Sequence, residues 1–204
     1  MSVWIKICGL TTAEGVEAAA HAGVDAIGFV FATSVRQVTP ERARELAQSA
    51  PRHILRVAVM LHPTQAWLDQ VLEAFKPDVL QCDAEDFGAL LLPQSLGRLP
   101  VHRADLEPWI EMPARLLFEG ARSGSGETAD WGVARRLAQR TQLVLAGGLG
   151  VGNVGSALAA VHPFGVDVSS GVERAPGIKS RALIMDFVAA VRSSQPARVA
   201  GVDR

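Results

Sequence analysis

The stretch Leu143 to Glu173, L-V-L-A-G-G-L-G-V-G-N-V-G-S-A-L-A-A-V-H-P-F-G-V-D-V-S-S-G-V-E, reads as one strand–helix–strand unit. Leu143 to Ala146 is a short apolar run that stops at two glycines, Val151 to Ala160 has the spacing of a helix, and Gly165 to Val168 is a second strand-like run. The same alternation continues upstream. Strand candidates lie at Val3 to Cys8, Ala26 to Phe31, Leu55 to Met60, Val79 to Cys82, Pro100 to Arg103 and Arg115 to Glu119. Helix candidates lie at Thr12 to His21, Pro40 to Ser49, Gln65 to Ala74, Trp131 to Gln139 and Ser180 to Arg192. Thr39 before Pro40 and Glu41 places a hydroxyl at a helix cap, proline at the first helical position and an acid in the first turn. Strands alternating with helices build a parallel sheet, and eight of them predict an α/β fold with a single closed (β/α)8 TIM barrel.

At 204 residues, 49% hydrophobic and 20% charged, the chain buries one core, and one domain over residues 1–192 is expected. Such barrels usually take about 250 residues, so some connections must be short. Pro93, Pro100, Pro108 and Pro113 place the shortening around strands 4 to 6. Residues 193–204 lose periodicity and read as a disordered C-terminal tail. A formal charge of −1 with scattered basic residues gives no footprint for nucleic acid or an anionic membrane. No apolar stretch approaches the roughly 20 residues of a membrane helix. Cys8 and Cys82 lie far apart behind no secretory leader, which fits the cytoplasm.

In a barrel the strand ends and their following loops form the reactive face, and the unusual residues collect there. Gly147 and Gly148 after strand seven, with Ser169, Ser170 and Gly171 after strand eight, expose backbone N–H groups suited to a phosphate. Glycines at such places also serve simply to make tight turns; two such loops after adjacent late strands favour the phosphate. Cys8 ends strand one and shares its inward side with Lys6, which needs an anionic partner. The thiol is either a small core hydrophobe or, if the ammonium lowers its pKa from about 8.5, a base or nucleophile. Glu119 at the end of strand six is either a proton donor or an ion-paired rim residue, and Asp167 is a further rim acid. Arg36 has the planar fork that suits a carboxylate, or is an ordinary surface arginine. The five histidines and two cysteines show no zinc-type spacing, and no phosphate-loop lysine motif, nucleophile elbow or dinucleotide fingerprint occurs. No metal and no cofactor are expected.

Five motifs in order carry a resemblance: K-I-C-G-L-T at Lys6–Thr11, G-F-V-F-A-T-S-V-R-Q-V-T-P at Gly28–Pro40, S-G-S-G-E-T-A-D-W at Ser123–Trp131, L-A-G-G-L-G-V-G-N-V at Leu145–Val154, and G-V-D-V-S-S-G-V-E-R-A-P-G-I-K at Gly165–Lys179. Over roughly Val3 to Arg192 the chain resembles the phosphoribosylanthranilate isomerase family. The resemblance implies an Amadori rearrangement of N-(5-phosphoribosyl)anthranilate to 1-(2-carboxyphenylamino)-1-deoxyribulose 5-phosphate, with a small phosphosugar as the only partner beyond a monomer or homodimer. It implies Cys8 as base, Glu119 as acid, Arg36 on the anthranilate carboxylate, the Gly147, Gly148, Ser169, Ser170 and Gly171 loops on the phosphate, and Asp167 organising the site beside Lys6.

Two departures stand out. The acid position is usually aspartate, and Glu119 adds a methylene. The usual Q-L-H-G-D-E after strand four is here Q-C-D-A-E-D, Gln81–Asp86, in which Gln81 either contacts substrate or is a structural rim amide. An isomerase acting on the related aminoaldose phosphate of histidine biosynthesis, or a barrel that binds phosphosugar without catalysis, are the alternatives.

Overall fold

The computed structural model describes residues 2–103, 112–120 and 129–194. Eight parallel strands run β1 Trp4–Cys8, β2 Ala26–Val30, β3 Leu55–Val59, β4 Val79–Asp83, β5 Gly97–Arg103, β6 Arg115–Glu119, β7 Gln142–Leu145 and β8 Gly165–Val168. Each pairs with the next, and β8 pairs back onto β1 to close the barrel. Around it pack α1 Ala13–His21, α2 Pro40–Ala47, α3 Gln65–Ala74, α4 Trp131–Ala138, α5 Val154–Val161 and α6 Arg181–Ser193.

The two-residue period of a strand divides each one between two cores. Ile5, Ile7, Leu80, Leu116, Phe118 and Val166 face outward into the layer between strands and helices. Leu99, Val101, Leu117, Val144 and Ala146 fill the barrel interior. The alternate residues toward the C-terminal ends of β1, β4, β6 and β8 include Lys6, Cys8, Gln81, Asp83, Glu119 and Asp167, so chemistry and outer packing occupy opposite sides of the same strands. At the opposite end, the Arg115 guanidinium lies 5.8 Å over the Trp4 ring and 4.5 Å over that of Phe164, closing the barrel floor.

Local rules set the helix starts. Thr12, Thr39, Thr64 and Ser180 each accept a hydrogen bond from a first-turn amide, with Pro40 at the head of α2 as its sequence requires. Strand bounds differ from the sequence reading by a residue or so, except that β5 starts at Gly97. Pro100 does not open it but sits inside the strand, in register with Cys82. α5 starts at Val154 rather than Val151, because Asn153 is held by the loop before it. Between β4 and β5 there is a single 3-10 turn, Ala84–Gly88, which is one of the expected shortenings. Residues 104–111 of the connection after β5, the Ser123–Thr128 part of the glycine- and serine-rich motif, and residues 195–204 of the expected tail lie outside the described residues. Ser193, placed at the start of that tail, is the last residue of α6. After β8, an antiparallel ribbon of β9 Glu173–Ala175 and β10 Ile178–Lys179 folds over the rim.

Candidate active site

At the C-terminal ends of the strands lies a cavity of about 340 Å³. Cys8, Arg36, Gln81, Glu119, Gly147, Gly148, Asp167, Ser169 and Ser170 all line it. Lys6 lies beneath it, fully buried, and Gly171 lines an adjoining cleft of about 310 Å³ that shares Gly148 and Ser170 with it. A larger groove of about 1130 Å³ between α2 and α3 is lined by Glu41, Arg44, Glu73 and Lys76, all exposed side chains of an open surface. The buried polar groups converge on the smaller cavity.

Register explains its centre. Lys6 stands opposite Asp167 across the β1–β8 seam, and its ammonium donates to Asp167 Oδ1 at 2.9 Å. Gly28 on β2 leaves space for this lysine: a Cβ there would sit 3.0 Å from Lys6 Cε and 3.2 Å from Cys8 Sγ. Burial opposes the lysine's charge, but the Asp167 carboxylate and the neighbouring thiol outweigh it and raise its pKa. For Cys8 the balance falls the other way. Burial pushes the thiol above its ordinary value of 9.0, Lys6 pulls it back, and Asp167 pushes it up again. Of the two readings of Cys8, the activated one needed this downward pull to dominate; Lys6 supplies the pull, but desolvation outweighs it, with Asp167 adding to the rise.

Arg36 comes from the loop after β2 and donates from Nε and Nη2 to the two carboxylate oxygens of Glu173, at 2.7 and 2.9 Å. This paired fork fixes the guanidinium plane at the cavity edge. Burial works against the Glu173 charge, yet hydrogen bonds from Arg36 and Lys179 bring its pKa down to about 2. The folded carboxyl therefore binds a proton less readily than the unfolded one, whose value is 4.5. Its stabilisation is present above pH 4.5 and fades as pH falls toward about 2. Glu173→Gln should accordingly lower the urea midpoint near neutrality, with the gap from the parent narrowing as acid is added through that window. A gap independent of pH would show that the carboxylate's charge contributes nothing.

The phosphate-type loops are held by their own side chains. Gly147 and Gly148 take φ of +85° and +61°, which glycine alone adopts without strain. Asn153 accepts from Gly150 N and donates to Gly148 O, both at 2.8 Å. Gly171 packs so closely on the other loop that a Cβ there would meet Leu149 O at 2.0 Å. Ser169 Oγ donates to Cys8 O at 3.0 Å, joining the β8 loop to the end of β1.

Across the cavity, Arg103 at the end of β5 bridges Asp83 and Glu119, its Nη2 lying 3.2 Å from Glu119 Oε1. Beyond Asp83, the exposed His62 ring points one nitrogen at Asp86, 3.0 Å away, and the other toward Asp83, at 3.6 Å. The Asp86 hydrogen bond is the main cause of its raised pKa. Carboxylates facing both ring nitrogens favour the protonated form of the ring. Gln81 is buried, and its Oε1 accepts no hydrogen bond among the described residues.

Sequence reasoning did not single out Glu173, Lys179, Asn153, Asp83 or Arg103 as parts of this site. Glu173 and Lys179 lay within a quoted motif without a role, and Asn153 stood before an apolar run. No local spacing announces Arg103, because its partners are on neighbouring strands.

A family model described as N-(5'phosphoribosyl)anthranilate (PRA) isomerase matches residues 5–190. The chain belongs to this family. An N-(5'-phosphoribosyl)anthranilate isomerase from a Bradyrhizobium species is 38% identical over 215 residues, spanning 96% of this chain and 98% of that protein. The phosphoribosyl anthranilate isomerase of Thermus thermophilus has a solved structure that superposes with a TM-score of 0.83 at 29% identity, covering 95% of this chain and all of that one. A phosphoribosyl anthranilate isomerase solved in complex with reduced 1-(o-carboxyphenylamino)-1-deoxyribulose 5-phosphate superposes with a TM-score of 0.75 at 27% identity, covering 94% of this chain and 99% of the other. The PRA isomerase family and the eight-stranded barrel therefore agree over nearly the whole chain. Among the described residues, no helix is long and apolar enough to cross a membrane.

Proposed function

We propose that Cys8 and Glu119 carry the two proton transfers by which this PRA isomerase performs its Amadori rearrangement. The observation that carries the reading is the single cavity at the barrel mouth, which gathers a thiol, a carboxyl, an oriented guanidinium and two glycine loops from different strands. The phosphate is received by the Gly147, Gly148, Ser169, Ser170 and Gly171 loops, and the anthranilate carboxylate by the Nη1 side of Arg36, which Glu173 leaves available. Glu119, oriented by Arg103, protonates the ribose ring oxygen, and the ring opens to an imine. Cys8 as thiolate then removes the C2 proton, giving an enolamine that relaxes to the ketone. One proton enters and one leaves, so the rearrangement is redox-neutral overall. Gln81 Oε1 accepts from a substrate hydroxyl or amine, while Lys6 and Asp167 set the field around the thiol from below. The cytoplasm is the proposed compartment, with the chain as monomer or homodimer.

The histidine-pathway intermediate carries a second phosphate. The rim facing the glycine loops offers Asp83 and Glu119 around Arg103, a poor receptor for another dianion. With purified protein, the fluorescence of phosphoribosylanthranilate should decay while the histidine intermediate persists. A catalyst of only the second conversion, or of neither, would overturn the assignment.

The raised pKa of Cys8 gives this mechanism a pH signature. A thiol that titrates above 9.0 is mostly protonated at neutrality, so the thiolate fraction grows with alkalinity. Alkylation of Cys8 by a small electrophile, which needs the thiolate and no proton donor, should quicken about tenfold per unit between about pH 7 and 9. A rate already level near pH 7 would show that burial does not raise this thiol.

A further inference from the structure

We propose that Lys179 is a positioning residue that ties the two anion-receiving ends of the cavity to each other. The inference rests on the reading of Arg36 and the β8 loop as those ends. The Lys179 side chain is 1% exposed and does not line the cavity, so it acts through other groups. Its ammonium donates to Ser169 O at 3.0 Å, Ser169 Oγ at 3.2 Å and Glu173 Oε1 at 2.9 Å. Three protons meet three acceptors, which leaves the ammonium no proton to spare for a substrate.

What those acceptors do gives the lysine its meaning. Ser169 begins the loop whose amides receive the phosphate, and Glu173 holds the Arg36 fork that receives the carboxylate. One buried charge therefore fixes the spacing between two sites that must grip opposite ends of one molecule. The backbone follows the same plan. Gly177, at the β9–β10 turn with φ +80°, packs against Val35, the residue before Arg36, so that a Cβ there would lie 2.7 Å from Val35 O. Thr11, from the loop after β1, donates to Gly177 O and clamps the turn from the other side. Desolvating an ammonium is costly, and a bond to Glu173 alone would serve stability as an ordinary ion pair. The bonds to Ser169 extend the restraint to the second site.

The test compares Lys179→Met, Lys179→Arg and Arg36→Gln using two probes, ribose 5-phosphate for one end and anthranilate for the other, each as a competitor of the isomerase reaction. Lys179→Met should weaken both probes by about tenfold, the order of loss when a residue that orients a ligand-contacting group is removed. KM should rise more than kcat falls, and Lys179→Arg should recover part of both affinities. Arg36→Gln should weaken anthranilate alone. A folded Lys179→Met protein that binds both probes normally, or loses only one of them, overturns the proposal. If the methionine variant does not fold, Lys179→Gln, which keeps two donors without the charge, is judged by the same criteria. Normal anthranilate binding by Arg36→Gln would overturn the reading of the site itself, and this inference with it.

Discussion

Cys8→Ala is expected to lower kcat by about 10² to 10⁴-fold, the usual contribution of a positioned proton-transfer group, while affinity for a reduced product analogue stays near that of the parent. The asymmetry follows from geometry. Cys8 is 7% exposed at the end of β1, and the anion-receiving groups come from the loops after β2, β7 and β8. Removing one sulfur takes away the base and leaves those loops in place; the Ser169 bond to this residue is to its backbone carbonyl. Glu119→Gln should cost a similar factor, because an amide keeps the shape beside Arg103 and has no acidic proton to give. Stopped-flow turnover and equilibrium binding of the analogue check both variants. A Glu119→Gln enzyme with near-normal kcat would sink the acid assignment, and a Cys8→Ala enzyme with lost binding but normal kcat would make the thiol a packing residue.

Gly171→Ala should be the most damaging change among the loop glycines. The new methyl would lie 2.0 Å from Leu149 O and 3.0 Å from Gly150 Cα, both backbone atoms that no rotamer change moves aside. The loops after β7 and β8 must part by more than an ångström, and misplacement on that scale costs about 100-fold in kcat/KM. Overpacking should also remove about 1–3 kcal/mol of stability, read from urea unfolding. Gly152→Ala, where a Cβ meets nothing within 4 Å, is the matched control and should change little. Equal behaviour of the two variants would show that close contact between these loops is not required.

Much of this was legible from the chain. Short apolar runs alternating with helical spacing announced the barrel, period two along β1 placed Lys6 and Cys8 on one inner side, and strand-end positions placed Gln81, Glu119 and Asp167 at the rim. What local pattern withheld was partnership. That Lys6 spends its charge on Asp167 depends on the β1–β8 register, formed by residues 161 positions apart. The lysine's downward pull on the thiol was read with the right sign, but burial, which no local pattern shows, outweighs it. The extra methylene of Glu119 and the aspartate at position 83 looked like separate oddities; in the fold they are the two carboxylates that Arg103 joins. α5 began late for a similar reason, since the Asn153 side chain serves the loop that holds Gly148.

The two-sided division of β1 bears on how the chain matures. Sliding this strand by one position against its neighbours would turn Ile5 and Ile7 toward the wet mouth and drive Lys6 and Cys8 into the oily layer under the helices. A misaligned barrel would thus forfeit its cohesion and its reactivity in the same event. Molecules that survive cellular proteolysis have, by surviving, already passed an inspection of their catalytic centre.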